Sequence, residues 1–422
     1  MSEPALRGRG SASTTLRDAE VEDLLAGALA ERPLDGKRVL VIVPDGTRTA
    51  PVPLLFRILC DQLAPRVREL GYLIALGTHP PMPEPAIARL VGMGAEERAA
   101  RYPGVRVLNH RYDDDDALRT FGVISESETH TLSDGLLSRA IPVRLNRLVA
   151  EYDVVLLCGP VFPHEVAGFS GGAKYLFPGV AGPEIIDFTH WLGALCTSME
   201  TIGVRDTPVR RVIHRAADFV PCEVLCLTMV LEGDRLHGMW LGAHQEAFRA
   251  AAELSRELNI VRVPRPFRTV LSMPAARYDD LWTAAKAVYK TEPILADGGE
   301  VIVYAPHLRE VSYTHGAWID RVGYHVRDYF VAQWERFRDL PWAILAHSTH
   351  VRGAGTYDAA QEAEHPRIRV TLATGISEER CHRIGLGYCD PRTLDVQAFE
   401  GREDEGVLVV HHAGEKLYRL AT

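Results

Sequence analysis

Very little in this 422-residue sequence suits life outside a reducing, aqueous compartment. The seven cysteines are an odd number scattered from Cys60 to Cys389 and make no disulfide framework; Cys222 and Cys226 read as small buried apolar residues, not a metal clip. No window approaches the roughly eighteen uninterrupted apolar residues of a membrane span. The opening MSEPALRGRGSASTT lacks the apolar centre of a signal peptide, so a cytoplasmic protein is expected, with residues 1–15 as a disordered tail. A basic run is missing too. With 47 Lys and Arg against 56 Asp and Glu the formal net charge is −9, which argues against a nucleic-acid binder and favours solubility. Internal repeats are absent, as is low complexity beyond the first fifteen residues.

What is present is enough apolar material, 46% of residues, to bury more than one core, and the chain is too long for one ordinary domain. The expected division is residues 16–264 as an N-terminal catalytic and cofactor-binding domain, possibly completed by 402–422, and residues 268–401 as a C-terminal α/β domain. The proline-punctuated run 261–266 reads as the linker.

Along the N-terminal part, a short helix over 19–30 precedes a buried strand over 37–43 that ends in Asp45-Gly46-Thr47-Arg48. A helix follows from Pro51, then a strand over 72–76 ending in Gly77-Thr78-His79-Pro80, a third over 105–108 and a fourth over 153–158. Strands alternating with helices predict an α/β fold with a mostly parallel, doubly wound sheet, whose ligands sit beyond the carboxyl ends of the strands. Three such ends carry Asp45 with Arg48, His79 and His164, which would let groups distant in sequence meet. Each also has a plain reading: Asp45 and Thr47 are ordinary turn residues, and Arg48 could lie on the surface. Asp113 to Asp116 reads as a solvated loop. A helix starts at Pro208 behind Thr207, with no role the sequence assigns.

Residues 301–304, 342–345 and 368–371 look strand-like and make a second α/β unit, with His307, His315, His347, His350 and His382 expected in loops or on the surface because no metal-type spacing joins them.

One stretch has no obvious use in a plain scaffold: HEVAGFSGGAKYLFPGVAGPEIIDFTH, from His164 to His190. Gly168, Gly171 and Gly172 let the backbone turn tightly and bring N–H groups toward an anion, and Lys174 adds a positive charge just beyond. The spacing fits neither the P-loop nor GxGxxG, so phosphate cradling and a tight turn both remain open on general chemistry.

Taken together, PHEVAGFSGGAKYLFPGVAGPE with the following His190, DGTR at 45–48, GTHPP at 77–81 and the ending VLVVHHAG resemble the nickel-pincer lactate racemase family, over nearly the whole chain from about Val39. The resemblance implies two α/β domains with the active site in the cleft between them, and a racemase or epimerase acting at C2 of a 2-hydroxy acid by proton-coupled hydride transfer. It puts Lys174 where the family covalently tethers a pyridinium-3,5-bisthiocarboxylic acid mononucleotide holding nickel, with Ser170, Gly171 and Gly172 around the cofactor. His190 matches the nickel ligand, and His79 and His164 the acid/base pair. Arg48 and Lys286 match substrate-carboxylate groups, with Asp45 orienting Arg48 or an imidazole. Cofactor-making and nickel-inserting enzymes are the implied partners, beside a small 2-hydroxy acid.

Two departures stand out. Ala173 replaces a third glycine, and Thr283 replaces the glutamine of lactate-specific members three residues before the matching Lys286. Threonine is shorter and loses the amide, so a substrate larger than lactate is expected: a sugar acid, an aromatic acid or malate. The chemistry suits the residues. Neutral imidazoles can accept and donate the hydroxyl proton, hydride needs a cofactor, and sulfur and carbon donors with one imidazole suit square-planar nickel. The rival readings are a zinc hydrolase using His79, His164 and His190, and a non-catalytic mononucleotide-binding module.

Overall fold

The computed structural model describes residues 5–421. By internal contacts the chain divides into two compact units. The first comprises the chain up to Phe162 with Phe169–Ile186 and Val209–Leu258; the second comprises Pro163–Gly168, Asp187–Pro208 and everything from Asn259 on.

In the first unit seven strands form one sheet in the order Arg7–Gly10, Arg235–Ala243, Glu223–Glu232, Val154–Pro160, Arg38–Pro44, Glu69–Ala75, Arg106–Asn109. The first three pair antiparallel, and from Glu223–Glu232 onward all pairing is parallel. Val154–Pro160 is buried throughout and Arg38–Pro44 in all but its first residue, which is why both read as nearly unbroken apolar runs. The core runs from Val39, Val41 and Val43 through Phe56 and Leu59 of the Val52–Leu63 helix to Leu225 and Leu241. Strand order reverses at Arg38–Pro44. The chain steps from it to Glu69–Ala75 and Arg106–Asn109 on one side, then returns to Val154–Pro160 on the other. Such a switch point opens a crevice beyond the carboxyl ends of the two strands that flank it.

The second unit has an all-parallel five-stranded sheet in the order Gly387–Tyr388, Arg369–Thr374, Leu295–Ala305, Phe267–Pro274, Val407–Ala413. Here the order reverses at Phe267–Pro274, so that strand and Val407–Ala413 flank the switch point. Ile260–Val263 pairs separately, in parallel, with Leu417–Leu420.

Several expectations give way to these contacts. Residues 1–15 are not a disordered tail throughout: Arg7–Gly10 pairs with Met239, Trp240 and their neighbours, residues 1–4 lying outside the described residues. A Cβ at Gly8 would meet the Met239 carbonyl at 2.2 Å, so the glycines that weaken the sequence signal are what admit the strand. The run 261–266 does not divide the units: its first half is strand and all of it lies inside the second unit, to which 402–422 also belongs instead of completing the first. Residues 342–345 are not a strand; they open the Trp342–Arg352 helix, every residue of which is buried down to Val351. A short apolar run cannot by itself be told from a buried helix. No helix among the described residues is long and apolar enough to cross a membrane.

Candidate functional site

In the first unit, the switch point carries the predicted groups. Asp45 directly follows the Arg38–Pro44 strand and is buried. Its Oδ1 accepts the Thr47 amide at 3.1 Å and the Thr47 hydroxyl at 2.6 Å, a local turn that explains why Asp and Thr stand two apart. Its Oδ2 lies 2.5 Å from Nδ1 of His79, which sits just past the neighbouring Glu69–Ala75 strand. Burial alone would raise the Asp45 pKa. The His79 ring, the Thr47 hydroxyl and the Arg48 charge outweigh it and hold the carboxyl well below the usual range. Asp45 thus has two partners: one oxygen holds the turn and the other bonds an imidazole.

This coupling carries a pH signature. A carboxyl whose pKa is lower folded than unfolded stabilises the fold above its unfolded value, and that contribution is lost as pH falls through the folded one. The Asp45→Asn protein should therefore lose stability less steeply than the parent below about pH 4, read from urea midpoints at stepped pH. Parallel curves would mean the carboxylate carries no such linkage.

The glycine loop follows the strand on the other side of the switch point. Ser170 Oγ donates to the Pro160 carbonyl at 3.1 Å and accepts the Phe162 amide at 2.9 Å, pinning the loop to the end of its strand. Gly171 and Gly172 have φ of +83° and +62°; a Cβ on them would meet Val161 Cγ2 at 2.5 Å and Phe248 Cβ at 3.0 Å. Only glycine fits both the backbone and the space. A short 3-10 turn, Gly172–Tyr175, then presents half-buried Lys174. The next residue, Tyr175, lies against Gly159, where a Cβ would meet its ring at 2.2 Å. Burial raises the Tyr175 hydroxyl, and the charges of Arg48 and Asp45 reach it, so the lysine loop and the DGTR turn are neighbours. Ala173 is completely buried.

Arg210 holds this loop. It lies in the Pro208–Ala217 helix, to which the sequence assigned no role, and is itself buried. Its guanidinium donates to the Gly171 carbonyl at 3.1 Å and to the Phe169 carbonyl, and lies 4.1 Å from the centre of the Phe248 ring. Nothing in DTPVRRVIHRAA separates this arginine from its surface neighbours.

The second unit carries the other predicted residues. His164 is buried in Pro163–Gly168, its Nδ1 accepting the Val166 amide at 3.1 Å. His190 is half-buried on the Pro183–Cys196 helix. At the switch point of this unit, Asp280 caps the short Leu281–Ala284 helix by accepting the Thr283 amide at 2.9 Å and its hydroxyl at 2.8 Å. The Thr283 hydroxyl is therefore turned back on Asp280. Lys286 Nζ donates to the Thr283 carbonyl at 3.0 Å and lies 4.8 Å above the Tyr278 ring. Tyr278 in turn packs on Gly414, where a Cβ would meet its ring at 2.8 Å.

Two histidines expected in loops or on the surface lie beside these groups. His347 stacks on Trp282 with centroids 3.9 Å apart, and His315 lies 4.4 Å from the same indole. Burial, reinforced by His350, His315, Lys286 and His190, keeps His347 neutral far below the usual imidazole range. His350, one helical turn on, is pushed down to about 4 by burial. The missed signal was periodicity: His347 and His350 stand three apart on a helix that opens with four apolar residues.

Both units are thus α/β folds with mostly parallel sheets, and Asp45, His79 and the Lys174 loop in the first and Thr283 and Lys286 in the second follow strands at or beside the point where strand order reverses, the class of protein in which loops at strand ends build a ligand site. Residues 21–203 match the lactate racemase N-terminal domain. Curated lactate racemases from Thermoanaerobacterium thermosaccharolyticum and Lactiplantibacillus plantarum are each 24% identical to the chain, over 298 and 277 residues. Those alignments cover 67% and 64% of this chain and 65% and 60% of the relatives, so it spans a little under two thirds of their length. Among solved structures, a Thermotoga maritima protein superposes with a TM-score of 0.87 at 30% identity, over 98% of this chain and 100% of that one. The lactate racemase apoprotein from Thermoanaerobacterium thermosaccharolyticum gives 0.72 at 18% identity, over 98% and 94%. The chain belongs to the lactate racemase-like family.

Proposed function

We propose that this protein is a racemase or epimerase that inverts C2 of a 2-hydroxy acid, with a nickel-pincer mononucleotide tethered to Lys174. The observation that carries the reading is the His79–Asp45 pair at 2.5 Å. An ionised carboxylate on Nδ1 fixes the proton there and leaves Nε2 as the acceptor a substrate hydroxyl needs. His164 is the second acid/base group. Arg48 and Lys286 take the substrate carboxylate, Arg48 as a planar fork and Lys286 as a point charge.

The residues of the first unit fit the cofactor. Gly171 and Gly172, both at positive φ where a Cβ would strike Val161 and Phe248, bend the backbone into a tight cradle that only glycine can form, with Lys174 just behind it. Ser170 keeps that cradle at the strand end, and His190 would supply the protein's ligand to nickel. When bound, the cofactor supplies a hydride-accepting pyridinium carbon whose electronics nickel tunes. The chain's own part is to bind the carboxylate, hold the hydroxyl proton at one imidazole and return it from the other. Thr283, shorter than glutamine and held by Asp280, supports a substrate larger than lactate. Seven cysteines outside any disulfide agree with work in the cytoplasm, where the cofactor-making and nickel-inserting enzymes would be partners.

Coexpression with those enzymes followed by whole-protein mass spectrometry is the test. The parent should carry an adduct that Lys174→Ala lacks, and His190→Ala should keep the adduct but hold nickel poorly. An adduct-free parent, or a Lys174→Ala protein that racemises as well as the parent, would overturn the reading. Nickel content equal in the parent and His190→Ala would remove only the ligand assignment.

A further inference from the structure

We infer that the two acid/base histidines rest in opposite tautomers, and that Glu165 is the positioning residue that lets His164 carry a proton on Nδ1. This rests on the proposed function, but the geometry behind it is local to each histidine.

A neutral imidazole has one N–H and one lone pair, and whatever bonds one nitrogen decides what the other can do. At His79 the partner of Nδ1 is the Asp45 carboxylate, which only accepts, so Nδ1 carries the hydrogen and Nε2 the lone pair. At His164 the partner is the Val166 amide, which only donates. Nδ1 must then hold the lone pair, and the hydrogen of the neutral ring sits on Nε2. His79 is thereby set to take a proton and His164 to offer one.

A cycle that runs both ways needs His164 to accept as well. Taking a proton at Nε2 requires hydrogen on Nδ1, in the neutral ring or in the imidazolium, and that hydrogen would point at the Val166 N–H. The loop cannot easily turn the amide away. A Cβ on Gly193 would meet Val166 Cα at 3.0 Å, and one on Gly168, at φ +78°, would meet the Val204 carbonyl at 1.8 Å. The Gly168 carbonyl is itself held by the Gly203 amide at 2.8 Å. The group that can respond is the Glu165 carboxylate, whose Oε2 lies 3.4 Å from the same Nδ1 with both side chains largely buried. A small ring rotation exchanges the Val166 donor for the Glu165 acceptor. His350 also senses Glu165 and is kept neutral by burial.

The test begins on cofactor-free protein, with long-range proton–nitrogen spectra of the imidazoles. Near neutral pH, His164 should appear as the Nε2–H form and His79 as the Nδ1–H form; His164 as Nδ1–H would overturn the tautomer assignment. On acidification, His164 should become imidazolium about one pH unit or more lower in Glu165→Gln than in the parent, because an opposite charge beside the ring is gone. Glu165→Asp should restore part of that shift, and an unmoved transition would remove Glu165 from the role. In the loaded enzyme, Glu165→Gln should slow single-turnover keto-acid formation at least tenfold from one enantiomer and less than twofold from the other. Equal effects on both would overturn the inference. If a parent that carries the Lys174 adduct forms no keto acid from either enantiomer, the proposed function fails, while the spectra still decide the tautomers.

Discussion

Replacing either His79 or His164 by alanine is expected to lower full racemisation by about 100-fold or more, the usual worth of a positioned proton-transfer group. Inversion needs one imidazole to take the hydroxyl proton and the other to give one back, so neither can be spared. The half reactions should differ. With loaded His79→Ala, the enantiomer whose hydroxyl meets His164 should still yield 2-keto acid, and His164→Ala should show the opposite preference. A water entering the space of the lost imidazole could restore part of the rate. Rapid quenching with each pure enantiomer, followed by assay of the keto acid, reads this directly. If both variants form keto acid from the same enantiomer, one histidine only positions substrate and the two-base assignment is wrong.

Arg210→Met should cost the first unit about 3 kcal/mol, because two buried carbonyls, those of Gly171 and Phe169, lose a charged donor with no water to replace it. At about 2–4 °C per kcal/mol, the melting temperature should fall by roughly 6–12 °C. Arg210→Lys should fall between, since an ammonium keeps the charge but cannot span two carbonyls as a planar fork does. The loop that presents Lys174 should loosen as well, so adduct yield should drop in Arg210→Met even well below its melting temperature. Melting unchanged within about 0.5 kcal/mol would mean that Gly171 and Phe169 do not depend on this arginine.

Both predictions rest on residues of very unequal visibility. Asp45, His79 and His164 were legible as candidates because each stands beside a proline at the end of an apolar run, and Lys174 because closely spaced glycines precede it, glycines that their backbone and neighbours require. Arg210 was not: its worth lies in carbonyls about forty residues away, and an arginine beside another arginine on a helix usually faces water. Trp282, His315 and His347 form a cluster only because Leu281–Ala284 and Trp342–Arg352 pack in one unit, which no spacing announces.

By itself, the sequence determined the α/β class, the parallel strands of the first sheet and the glycine- and proline-rich turns that follow them, since burial on both faces and tight turning are local demands that leave local patterns. Tertiary structure alone decided that Arg7–Gly10 is an edge strand, that Ile260–Val263 pairs with Leu417–Leu420, and that Pro163–Gly168 and Asp187–Pro208 belong with the second unit. It also decided which nitrogen of His79 is engaged, by a carboxylate 34 residues away. The physical reason is the same in each case. A hydrogen bond or strand pair depends on the partner brought to it, and the residue's own neighbours in sequence do not record which partner that is.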